Sequence, residues 1–233
     1  MLKENDDLES LLMALRDADP MVRARAADAL GQRRDKRAVT PLIEALRDPE
    51  WAVRSSATAA LVQLGSLVSV DDLMPLLQDN DAETRWRAVW ILGATQDQHW
   101  RAVELLEAAL HDRDNEVRCR AAHALVKLDP ARAVEPLIAM LLDEDSLVRW
   151  NAAGLLHDVG DERAVEPLVQ VLADPSCDVR VNAIMALGKI GDERALSALL
   201  QVWQSDNEET LTGHRVRDVA GEAIEMIRKR QNS

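Results

Sequence analysis

The chain of 233 residues has no phenylalanine and no tyrosine, so its aromatic content is six tryptophans. A globular core of this size ordinarily uses all three aromatic types, whereas thin helical layers can be filled by Leu, Ala, Val and Ile, each burying only its neighbours' faces. Basic residues are also short: 28 Lys and Arg stand against 41 Asp and Glu, a net charge of −13. Neutralising phosphates takes Lys and Arg, so this balance disfavours nucleic acid and anionic lipid as partners. No apolar run approaches the roughly 20 residues of a membrane span. The opening MLKENDDLESLL has neither the basic start nor the apolar core of a secretion signal, so the expected location is cytoplasmic.

What the chain has in abundance is one pattern. An Arg, usually after Val, returns at Arg23, Arg54, Arg85, Arg118, Arg149, Arg180 and Arg217, with spacings of 31, 31, 33, 31, 31 and 37 residues. Three residues after each marker stands an Ala (26, 57, 88, 121, 152, 183 and 220). Seven residues after it stands Leu30, Leu61, Leu92, Leu125, Leu156, Leu187 or Ile224. These steps put a small and a large residue on one helix face, which lets helices nest closely. Six residues before the first six markers stands Asp17, Asp48, Asp79, Asp112, Asp143 or Asp174, while Leu211 holds that place before Arg217. A period of this size is the signature of a solenoid. Cys119 and Cys177, the only cysteines, fall two repeats apart, too far to bond at about 8–10 Å between packed helices. Two free thiols suit a reducing compartment.

The unit Ser146 to Pro175, with its helix, Asp-rich turn and Val-Arg-x-x-Ala-x-x-x-Leu run, resembles the HEAT repeat. The phrase Gly160-Asp161-Glu162-Arg163-Ala164-Val165-Glu166-Pro167-Leu168 is similar to the short variety typified by phycobiliprotein lyases. The resemblance covers nearly the whole chain. It implies an all-α fold, a right-handed α-solenoid of about seven HEAT-like helix pairs, forming a single domain over residues 1–233.

Local signals fit that frame. Asp6 with Glu9 reads as a capping box for a first helix from about Asp7 to Arg16, and Asp19 followed by Pro20 opens the second. An extra two residues around Gln98 and His99 loosen the fourth repeat. SDNEETLTGH, from Ser205 to His214, is a polar acidic loop before a final helix from about Arg215 to Arg230. Each turn Asp is expected to cap the following helix and to pair with an Arg of an adjacent repeat. Trp203 falls in the core register of Leu46 and Leu172.

No chemistry-bearing motif emerges. The five His show no His-Glu-x-x-His or related ligand spacing, and there is no Walker loop, Gly-x-Gly-x-x-Gly or nucleophile elbow. Iron-binding HEAT enzymes use paired His-Glu steps, and His111-Asp112 and His157-Asp158 read instead as surface and capping residues. The expectation is therefore no catalytic residue, no metal and no cofactor.

In HEAT repeats the Val-Arg helix lines the concave side, so positions one, two and five after the marker should be exposed there. The resulting candidates for holding a partner protein or peptide are Trp86, Arg87, Trp90, Arg120, His123, Trp150, Asn151, Asn182 and Met185, read as one patch. Trp and Arg are the residues most often found as interface hot spots. The leading functional reading is a protein-binding scaffold. A bilin-lyase-like or other ligand-handling enzyme subunit comes second, and a groove for a single-stranded base third.

Overall fold

The computed structural model describes residues 7–95, 99–210 and 212–232. Fourteen α-helices occur among them: α1 (Leu8–Ala14), α2 (Pro20–Arg33), α3 (Val39–Ala45), α4 (Trp51–Leu64), α5 (Val70–Leu77), α6 (Ala82–Leu92), α7 (His99–Ala109), α8 (Asn115–Leu128), α9 (Pro130–Met140), α10 (Ser146–Val159), α11 (Val165–Val171), α12 (Cys177–Ile190), α13 (Glu193–Ser205) and α14 (Val216–Gln231). No strand occurs among these residues, Glu209 and Arg215 making one isolated antiparallel bridge. The chain divides into two compact units, residues 1–109 and 110–233. In the first, α1 packs on α2, α3 on α4 and α5 on α6. In the second, α9 packs on α10, α11 on α12 and α13 on α14.

The repeated Ala and Leu rows form the core. All seven Ala three residues after the markers are 0 % exposed, as are the six Leu seven residues after them, with Ile224 also buried. Successive Val-Arg helices lie side by side, α2 against α4 and α10 against α12. Gly31 shows how close that approach is, since a Cβ added there would come 2.7 Å from the Cα of Ala60.

Helix ends follow their signals with two corrections. Asp19 accepts from the Met21 amide and Pro20 opens α2, as the sequence predicts. The cap of α1, however, is Asp7, which accepts from the Ser10 amide, while Asp6 lies outside the described residues. The insertion around Gln98 and His99 lies largely outside them too. Trp203 is 43 % exposed rather than core. Val202 takes the buried place, and the indole edge rests on α14 at Gly221, where an added Cβ would stand 3.3 Å from the ring.

The turns carry an Arg-Asp ladder. Arg23 pairs with Asp48 (2.7 Å), Arg118 with Asp143 (2.9 Å), Arg149 with Asp174 (2.6 Å) and Arg180 with Asp206 (2.7 Å). Each of these guanidiniums also donates to the backbone six residues earlier, as from Arg149 to the Asp143 carbonyl at 2.8 Å and from Arg180 to the Asp174 carbonyl at 2.8 Å. Arg54 breaks step by pairing with Glu83, leaving Asp79 to Arg47. The ladder Asp is not the helix cap: Asp48, Asp143 and Asp174 accept the amide two residues on, and where a side chain caps the marked helix it is the Asp four before the marker, as Asp145 does from Leu147, while Glu50 and Ser176 at that place make no cap bond.

These contacts set an acid limit. The Arg23 guanidinium holds Asp48 below its ordinary value, the Asn115 amide does so for Asp145, and the Asp81 amide followed by Arg47 does so for Asp79. A carboxylate with a lowered folded-state pKa contributes its full stability above the ordinary carboxylate range and loses it as pH falls through the folded value. The melting temperature should therefore fall as pH drops below about 4. Melts followed by circular dichroism from pH 7 to pH 2.5 check this, and a flat profile would show that the ladder contributes nothing.

Candidate functional site

The expectation that positions one, two and five after the marker are all exposed needs correcting. Position one is buried in Ala24, Cys119 and Val181, and position two is buried in Arg87. These positions straddle the seam between adjacent Val-Arg helices, so the neighbouring repeat covers them. Arg87 reaches back to Thr58 Oγ1 at 2.9 Å, and Asn182 donates to the Trp150 carbonyl at 3.0 Å. The fifth position is the open row, exposed in Asp28, Ala59, Trp90, His123, Met185 and Glu222 and half-exposed at Gly154.

In the first unit, Trp86 and Trp90 stack with ring centroids 6.1 Å apart, and the Arg87 guanidinium carbon sits 4.5 Å from the centre of the Trp86 ring. Trp90 is 51 % exposed, Trp86 is half-buried, and Arg87 is only 2 % exposed, bonded to Thr58 and Glu83. Arg87 is thus a packing residue of the α4–α6 seam, contrary to its place among the exposed candidates.

In the second unit the sequence candidates converge. His123, Trp150, Asn151, Asn182 and Met185 line one cleft of about 370 Å³ across α8, α10 and α12, together with Gly154, Leu155, His157 and Asp158. Trp150 is 41 % and Met185 48 % exposed. Gly154 keeps the floor low, since a Cβ there would meet Asn182 Nδ2 at 3.2 Å. Arg120 is not part of this lining. It is half-buried on α8 and pairs with Glu116 at 2.6 Å.

One polar atom in the cleft wall is orphaned. His123 Nδ1 lies 2.9 Å from the Cys119 carbonyl, which requires a proton on that nitrogen. It cannot then accept from Asn151 Nδ2, 3.4 Å away. Asn151 Oδ1 is buried with no hydrogen-bond partner among the described residues. Leaving such a group unsatisfied costs about 1–3 kcal/mol. Burial pushes the Cys119 thiol on α8 up to about 11, so it stays protonated and inert.

His157 and Asp158, read from sequence as surface and capping residues, belong to the cleft rim. They stand eight and nine residues after Arg149, one helical turn beyond Gly154, and extending the same register by that turn would have found them. His157 Nδ1 lies 3.2 Å from Asp158 Oδ1. Among the described residues no three His, Cys, Asp or Glu side chains come together as a metal cage, and no helix is long and apolar enough to cross a membrane.

The repeated helix pair and its Arg-Asp ladder place this chain in a known class. The family model for HEAT repeats matches residues 8–83, 70–156 and 134–225. The chain belongs to the HEAT-repeat family. Among solved structures it is similar to the Escherichia coli protein YibA, at 19 % identity and a TM-score of 0.59, covering 97 % of this chain and 94 % of that one. An engineered protein is similar at 24 % identity and a TM-score of 0.54, over 94 % of this chain and 68 % of the other. These likenesses show the fold alone. No curated protein matches.

Proposed function

We propose that this chain is a protein-binding scaffold and that the cleft across α8, α10 and α12 holds an extended peptide or a helix of its partner. Membership of the HEAT-repeat family supports the scaffold reading, because stacked helical repeats present extended surfaces suited to partners. The observation that carries the cleft is the convergence on it of a half-exposed Trp150 and Met185 with the polar groups of Asn151, Asn182 and His123. An apolar pocket with a few placed polar groups is the usual form of a recognition site.

The test compares baits in affinity capture from the source cell. Gly154→Leu fills the cleft from a helix position where glycine is the weaker helix former, and Trp150→Ala removes the anchor. Both should lose the partner captured by the unaltered protein, Trp150→Ala by about 2 kcal/mol of affinity, and thermal melts check that each variant is still folded at the capture temperature. Gln170→Ala, on the exposed side of α11, should bind normally. A partner retained by both cleft variants would place the binding surface elsewhere, first on the Trp86–Trp90 stack.

Within the family we infer the short, phycobiliprotein-lyase-like variety, on the phrase from Gly160 to Leu168. Its residues serve the turn: Gly160 takes the left-handed conformation (φ 73°) that ends α10, and Asp161 accepts from the Arg163 amide at 2.9 Å. That use supports a resemblance of repeat type and gives no residue a catalytic role. Mixing with a linear tetrapyrrole and reading visible absorbance separates a ligand-handling function from the scaffold.

A further inference from the structure

Charges on the face that carries the cleft are unevenly compensated. Toward α8, Arg120 is paired with Glu116. On α12, the Lys189 ammonium is turned to the carbonyls of His157 (2.8 Å) and Asp158 (3.2 Å), closing the C-terminal end of α10. Asp158's own carboxylate is 68 % exposed, and among the described residues its one partner is His157. One helix further, α14 packs on α12, and the positions equivalent to Val181 and Met185 are Asp218 and Glu222. Both are exposed, and neither side chain has a bonded partner among the described residues. The cations of α14 are engaged elsewhere or turned away. Arg217 bonds Asn207, Lys229 pairs with Glu225, and Arg230 donates to the carbonyls of Gly188 and Gly191. Arg228, six residues after Glu222, is rotated from it by about 120° around the helix.

The result is a cleft bordered on the α14 side by two carboxylates, Asp218 and Glu222, that have no bonded partner among the described residues, with Asp158 of the lining held by His157 alone. Resting on the reading of the cleft as a peptide site, we propose that its occupant is a basic segment of a partner protein. One bulky uncharged side chain enters between Trp150 and Met185, and Lys or Arg residues of the same segment engage Glu222 and Asp158. The spacing is set by the helices. Adjacent axes lie about 10 Å apart, so an extended segment crossing from the Met185 position to the Glu222 position covers roughly three residues at about 3.3 Å each. Opposite charge across the rim speeds encounter and fixes the direction in which the segment lies.

Random 12-residue peptides displayed on phage, panned on the full chain at about 0.15 M salt, test this directly. The recovered sequences should share a Leu, Met or aromatic residue with Lys or Arg about three positions away. A synthetic copy should bind the Asp158→Asn, Glu222→Gln double variant at least tenfold more weakly and should bind the Gly154→Leu variant not measurably. Panning on Glu222→Lys should replace the basic position by Asp or Glu. Peptides that need an open Gly154 but show no basic preference, and that bind the double variant normally, overturn this proposal while leaving the scaffold reading in place. Failure to enrich any sequence sensitive to Gly154→Leu overturns both. Thermal melts of each variant guard against misfolding, the rim carboxylates being exposed.

Discussion

Replacing Arg180 by alanine should lower folding stability by about 3 kcal/mol or more. Arg180 is 8 % exposed in its side chain and its partner Asp206 14 %, so the pair is nearly dry. The same guanidinium reaches Glu208 at 3.2 Å and donates to the Asp174 and Pro175 carbonyls at 2.8 and 3.3 Å. Burial works against the charge, yet the bonds to Asp206 and Glu208 raise its pKa above the ordinary value, so attraction outweighs desolvation. Alanine leaves a carboxylate and two carbonyls short of a donor at once. Arg194→Ala is the control, because Arg194 pairs with Asp192 at 2.8 Å but the two are 50 % and 47 % exposed. Exposed pairs are worth roughly 0–1 kcal/mol. Urea melts of the two variants should therefore separate clearly, and equal midpoints would mean that ladder Arg residues contribute no more than surface ones.

Arg180 also shows where the sequence was legible and where it was not. The Ala and Leu rows and three rungs of the ladder follow from strict spacing, because a helix pair that must nest against identical neighbours repeats its contacts at fixed register. The rung at Arg180 broke that register. The long link before α14 puts Leu211 where an Asp was expected, and the chain restores the pair from Asp206, 11 residues before Arg217. The acidic loop is consequently tied down rather than free: Asp206 and Glu208 go to Arg180, and Glu209 lies 3.7 Å from Arg215. The candidate site was legible to the extent that it lies on helix faces. His123, Trp150, Asn151, Asn182 and Met185 meet because the 31-residue period carries one face across three helices. Burial of positions one and two was not legible, because periodicity within one helix locates its partner helix but not the sideways neighbours that a solenoid adds.

Arg87 is the residue for which those two kinds of neighbour give opposite readings, and Arg87→Ala should cost about 3 kcal/mol of stability. Read from its own helix, Arg87 belongs to an exposed hot-spot patch, and its loss would cost affinity and nothing else. In the structure it fills the seam between α4 and α6, bonded to Thr58 and to Glu83 and lying against Trp86. Alanine removes that volume and leaves a cavity. Arg87→Met should cost only about 1 kcal/mol, close to the cation–π contact it gives up. Methionine keeps most of the bulk and strands no polar group. Glu83 retains Arg54 at 3.1 Å, and the Thr58 hydroxyl still donates to the Arg54 carbonyl at 2.8 Å. Urea denaturation of both variants, with tryptophan fluorescence reporting on the neighbouring Trp86, distinguishes the readings. An alanine variant as stable as the unaltered chain would return Arg87 to the surface, while a large loss for alanine and a small one for methionine marks it as packing.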